Sequence, residues 1–190
     1  MLKWVSHQVV TTTAMLALTG NPFFAVLTGG LSPLPDKIDF LCGGLGRMPF
    51  HLFHHRQHSH YWLYWFLLAM FSYSYMVQRG LLLGRFSAYG GVTLFFLQGN
   101  AENALEFLLP NLLFWASIAS LFHIAEDFFS GMGVPLIFPT KISPHIQLYK
   151  GGGPSECLVA ALAAIAFLSL YVNPTPFQET MWKIFFVHFH

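Results

Sequence analysis

The sequence predicts an all-α integral membrane protein with about four to five transmembrane helices and a group of ionisable side chains near one membrane face. Three observations predict it. Hydrophobic residues make up 55% of the chain and charged residues only 9%, whereas a soluble domain carries about 25% charged residues. The apolar residues fall into long runs separated by glycine- and proline-rich breaks. Five of the ten histidines crowd into residues 51–60, directly before one of those runs. A formal net charge of +1 gives no electrostatic case for a nucleic-acid partner. Cys42 and Cys157 lie far apart and imply neither a disulfide framework nor a thiolate metal site. The length of 190 residues suits one membrane-embedded domain, 1–173, and an amphipathic C-terminal tail, 174–190.

The first apolar run covers residues 1–30 and is longer than the core of a secretory signal. Gly20-Asn21-Pro22 interrupts it, so a first membrane helix is expected with a kink or break near Pro22. His7 sits near one end of that helix. Residues 31–50 read as irregular backbone, punctuated by Pro33, Pro35, Gly43, Gly44, Gly46 and Pro49 and carrying Asp36 and Asp39. Such backbone belongs outside the membrane or inside protein. Tyr61 to Val77 is apolar and aromatic, at the lower end of spanning length. Tyr61, Trp62, Tyr64 and Trp65 form an interfacial belt, which places the histidines at a membrane boundary. Residues 86–110 open with the apolar stretch Phe86 to Leu97 and the polar stretch Gln98 to Asn103, which fit a short re-entrant or interfacial segment as well as half of a span. From Ala104 a helix runs through Pro110 to about Ser130, where Gly131 and Pro135 stop it. Cys157 to Val172 is a further apolar span with Glu156 in its first turn. Asn173-Pro174-Thr175-Pro176 ends it, and Phe177 to His190 reads as a surface-lying segment. The basic residues do not segregate enough to orient the chain.

Residues 51–60 read His-Leu-Phe-His-His-Arg-Gln-His-Ser-His. Neutral imidazole is the commonest protein ligand for a transition metal. On a helix His51 and His55 share a face, as do His54 and His58. A helix beginning near Ser59, with His55 on the loop before it, brings His55 and His60 to one metal. His123 and Asp127 are also i, i+4, and no lysine or arginine lies between Arg85 and Lys141 to pair with them locally. Ionisable groups at the end of an apolar helix are expensive in lipid and mark a functional site. Folded up and down, the chain brings His7, the Asp-x-x-Asp pair, the histidine stretch and His123/Asp127 to one membrane face. Mixed imidazole and carboxylate donors suit zinc, manganese or iron(II).

These motifs together resemble the YdjM-like family of bacterial inner-membrane metal-dependent hydrolases. They are Leu34-Pro35-Asp36-Lys37-Ile38-Asp39, His55-Arg56-Gln57-His58-Ser59-His60, His123-Ile124-Ala125-Glu126-Asp127 and Gly131 to Pro139, with His7 on the first helix. The match covers roughly residues 5–140. Ser59 stands where the family usually has threonine, and His51, His54 and His58 are extra to the pattern. The family is distantly similar to zinc phospholipase C. The resemblance therefore implies a multi-pass protein of the bacterial inner membrane that hydrolyses a phosphoester of a lipid or membrane-associated substrate. Its implied metal ligands are His7, Asp36, His55, His60, His123 and Asp127, more than one tetrahedral zinc needs, which points to two ions. Asp39 is then a further ligand or an orienting group, Arg56 a holder of substrate phosphate, and Glu126 a candidate general base. Glu126 points about 100° from Asp127 around a helix, toward solvent if nothing packs there.

Two other classes compete. His51-Leu52-Phe53-His54-His55 matches one histidine box of the di-iron desaturases and hydroxylases, which need further boxes that this chain lacks. A non-catalytic membrane subunit or metal carrier would need the cluster only as structure. Iron with oxygen-dependent chemistry marks the first, and tightly held zinc without esterase activity the second.

Overall fold

The computed structural model describes residues 2–44, 59–79, 101–130, 134–135, 146–150 and 153–185, and these form an all-helical chain. Helix α1, Leu2–Thr19, ends at Gly20, whose φ of 65° is the left-handed conformation that glycine adopts without strain. The Gly20 N–H donates to the Leu16 carbonyl at 2.8 Å. Asn21 then caps α2, Pro22–Leu31, by accepting the Phe23 N–H at 2.9 Å, and Pro22 fills the first turn where no N–H is needed. Of the kink or break expected near Pro22, the structure shows the break, and there the chain reverses. α2 runs back along α1, close enough that a Cβ on Gly29 would sit 1.9 Å from Thr12 Oγ1 and 3.1 Å from the Gln8 carbonyl. Two residues suffice because one supplies the positive φ and the next supplies a cap.

Residues 34–44, expected as irregular backbone, form a helix, α3, Leu34–Gly44. Its prolines cluster at the start, where a missing N–H removes no helical hydrogen bond. Lys37 N–H donates to the Pro33 carbonyl at 3.0 Å, and Asp36 in the first turn suits the positive end of the helix dipole. Three longer helices follow, α4 Trp62–Arg79, α5 Ala101–Phe129 and α6 Pro154–Val172, then the short α7, Pro176–Phe185. α5 continues through Pro110, and the Asn111 side chain takes up the Phe107 carbonyl at 2.9 Å.

α4 packs antiparallel on α5, and α1 lies beside α6, pointing the same way. At the end of the bundle that holds the α1–α2 turn, Met15, Phe24, Ala25, Phe107 and Trp115 form the core, with the Phe24 and Trp115 rings stacked at 4.4 Å. At the other end Trp65, Ile124 and Val134 pack together. The segment expected as a tail is tied in through Gln178, whose Nε2 donates to the carbonyls of Ala17 at 3.0 Å and Leu170 at 3.3 Å.

Among the described residues, α5 over Leu105–Phe129 and α6 are long and apolar enough to cross a membrane. The expectation of four to five spans thus finds two helices that qualify by length and composition. α6 is apolar around its whole circumference and leaves Leu158, Leu162, Ile165 and Val172 exposed, a surface that suits lipid and not water. α2, at 10 residues, rises about 15 Å and is too short to span.

Candidate metal centre

Three stretches of chain converge at the Trp65 end of the bundle. Asp36 comes from the first turn of α3, His60 from the residues leading into α4, and His123 and Asp127 from adjacent turns of one face of α5. Their donor atoms all lie within 4.8 Å of one another. His60 Nε2 is 3.3 Å from Asp36 Oδ1 and 3.4 Å from Asp127 Oδ2. His123 Nε2 is 3.7 Å from each of the same two oxygens. Ligand atoms at the corners of a tetrahedron with metal bonds of about 2.0–2.1 Å are about 3.3–3.4 Å apart, so the four donors already stand near coordinating spacing.

Burial sharpens this. The side chains of His60 and His123 are fully buried, and that of Asp127 nearly so. His60 Nε2 and both ring nitrogens of His123 make no hydrogen bond among the described residues. An unsatisfied buried polar atom costs about 1–3 kcal/mol, and the two Nε2 atoms, each within 3.7 Å of the same two carboxylate oxygens, fit a cation between them. Two carboxylates with two neutral imidazoles also balance the charge of a divalent ion.

His60 is held from behind. Its Nδ1 lies 3.4 Å from Asp39 Oδ2 and 2.9 Å from Ser59 Oγ, and the Ser59 hydroxyl also contacts Asp39. Trp65 Nε1 donates to the Ser59 carbonyl at 2.6 Å and fixes that turn. Asp39 thus faces the nitrogen turned away from the cluster, where an orienting carboxylate belongs. Burial opposes charge on His60, yet the carboxylates of Asp127, Asp36 and Asp39 outweigh it and raise its pKa to about 10. Burial likewise opposes ionisation of Asp36, but His123 and His60 hold its carboxyl well below the usual range.

His7 stands beside the cluster. Its ring packs on that of His123 with centroids 4.2 Å apart, and its Nε2 is 3.6 Å from Asp127 Oδ1. Its Nδ1 meets Glu126 Oε2 at 2.7 Å. Glu126 does not face solvent, because α1 packs over that side of α5. Its Oε1 accepts from Thr11 at 3.0 Å, and Thr11 also lies 3.1 Å from the Ser32 hydroxyl. Tyr149 donates to the Glu126 carbonyl at 2.9 Å; burial, then Glu126, Asp127 and Glu156, push its phenol above the ordinary pKa. His55 and Arg56, and the extra His51, His54 and His58, lie outside the described residues.

Thr11, Tyr149 and Glu156 were not among the residues singled out from the sequence. Glu156 is 5% exposed and accepts from the Ser6 hydroxyl. A carboxylate in the first turn of an apolar helix was the signal that could have marked it. Thr11 and Tyr149 carried none, since their roles come from tertiary packing, of α1 on α5 for the first and of the stretch 146–149 on the end of α5 for the second.

A family model described as YdjM inner membrane protein matches residues 2–188. No curated protein and no solved structure matches the chain.

Proposed function

Because the chain belongs to the YdjM family of inner membrane proteins, we propose that it is a multi-pass, metal-dependent hydrolase that cleaves a phosphoester of a lipid or membrane-associated substrate. The observation that carries this reading is the buried four-donor cluster of Asp36, His60, His123 and Asp127 at near-tetrahedral spacing. Zinc suits that donor set best, with manganese and iron(II) sharing its preferences. A divalent ion held by Asp36, His60, His123 and Asp127 would supply an activated water and polarise a phosphoryl oxygen. A second ion is part of the proposal. Asp127 offers Oδ2 to the cluster and turns Oδ1 toward His7, so this carboxylate faces two positions at once.

The chain's own residues divide the remaining work. Asp39 and Ser59 hold the His60 ring so that Nε2 faces the cluster. Glu126, positioned by His7 and Thr11, is the group that takes a proton from the attacking water. Arg56, one residue after His55, is assigned to the substrate phosphate.

One feature favours a second, non-catalytic reading. Four protein donors complete a tetrahedron, which is the pattern of structural zinc. Metal analysis and phosphoesterase assays on His60→Ala and Asp127→Ala variants separate the readings. Loss of metal together with loss of phosphoester hydrolysis is expected for both variants. Metal-loaded wild type without any such activity would select the structural role, and unchanged metal content in both variants would remove the centre altogether.

A further inference from the structure

α6 packs along α1 but makes little contact with α5, although all three helices meet at the same end of the bundle. The space left between them is a cavity of about 340 Å³. Its walls are apolar, built from Val10 of α1, Phe122 and Phe129 of α5, and Val159, Ala163 and Phe167 of α6. Its polar groups, Ser6, His7, Glu126, Tyr149 and Glu156, gather at one end, where the start of α1 meets the end of α5 and the start of α6. His7 and Glu126 are the same side chains that border the metal centre through Asp127. One cavity therefore joins the proposed reaction site to the lipid-facing helix.

We propose that this cavity holds one hydrocarbon chain of a lipid phosphate, which reaches it sideways from the bilayer between α5 and α6, with the head group directed toward the metal centre. The placement of the head group rests on the hydrolase reading; the chain site does not. Three observations select this occupant. The cavity runs along α6 from Glu156 to Phe167, an interval over which a helix rises about 16 Å. Half of a hydrocarbon core about 30 Å thick is about 15 Å, so the depth matches one chain of one leaflet. The volume lies at the low end of small-molecule sites, roughly 300–1,000 Å³, and is too narrow for a partner helix about 10 Å across. Finally, the polar atoms sit at one end only. Ser6 satisfies Glu156, and His7 and Thr11 satisfy Glu126, so this end is a hydrogen-bonded rim and the rest offers nothing to a polar ligand.

The test reads binding and not turnover. Full-length protein is reconstituted in phosphatidylethanolamine/phosphatidylglycerol vesicles doped with a phosphatidic acid that carries a diazirine on one acyl chain. After irradiation, labelled peptides are mapped by mass spectrometry. Label is expected to concentrate on the peptides holding Phe122, Val159 and Phe167. Ala163→Trp fills the cavity and should reduce that label roughly tenfold while bound metal stays at the wild-type level. Leu162→Trp, on the lipid-facing side of the same helix, should leave the label unchanged. Label spread evenly over the exposed positions of α6, or equal labelling in Ala163→Trp and wild type, overturns the chain site whatever the phosphoesterase assay returns. Focused labelling with no turnover of the lipid phosphate upholds the chain site and counts against the hydrolase reading alone.

Discussion

Replacing Asp39 by asparagine removes one charge behind His60 and leaves the size of the side chain almost unchanged. The carboxylate oxygen stands 3.4 Å from His60 Nδ1, opposite the nitrogen that faces Asp36 and Asp127. Loss of such an orienting partner lowers metal affinity by about 10–100-fold, or about 1.4–2.7 kcal/mol. Burial opposes charge on His60, but Asp127, Asp36 and then Asp39 raise its pKa to about 10, so a proton also sits on Nε2, the nitrogen that faces the cluster. A cation must displace that proton, so wild-type affinity should climb by about tenfold per pH unit between about pH 7 and pH 10 and level off above. Asp39→Asn lowers the pKa of His60 and relieves part of this competition. Its deficit should therefore be largest near pH 10 and smaller near pH 7. Competition titrations against a chromophoric chelator at several pH values read both effects. An affinity equal to wild type at every pH would refute the orienting role. A deficit as severe as that of His60→Ala at every pH would make Asp39 a direct ligand.

Two further outcomes follow from contacts elsewhere. Glu126→Gln keeps the size of the side chain but not its basicity, so phosphoester hydrolysis should fall about 10²–10⁴-fold with bound metal retained; metal loss in this variant would instead move Glu126 into the coordination set. Gly29→Ala pushes a methyl group into Thr12 and the Gln8 carbonyl where α2 crosses α1, and should lower stability by about 1–3 kcal/mol in a detergent thermal-unfolding assay. An unchanged midpoint would mean the two helices can separate without penalty.

The sequence made the helices and their polar ends legible for physical reasons. His123 and Asp127 could be placed on one face because helical spacing is local, and the glycine and proline stops around α5 are local as well. The direction of the chain after Thr19 was not legible. Gly20-Asn21-Pro22 inside an apolar run signals a kink or a break, and only the positive φ of Gly20 with the Asn21 cap makes that break a reversal. α3 was missed because its prolines were weighed as breakers, whereas they occupy the first turn. Glu126 was partly legible: its chemistry stood out, but its surroundings depended on α1 returning across the bundle to bring His7 and Thr11 alongside. Such contacts join residues more than a hundred positions apart, beyond the reach of periodicity.

The four donors have one more consequence. They come from α3, the approach to α4, and α5, stretches that lie far apart in the chain and meet around Trp65 and Ile124 at that end. A single ion gripping all of them would act as a rivet, closing two long loops at one point and adding stability that scales with free metal concentration. Stripping it would loosen one end of the bundle while the stacked rings of Phe24 and Trp115 still clasp the other.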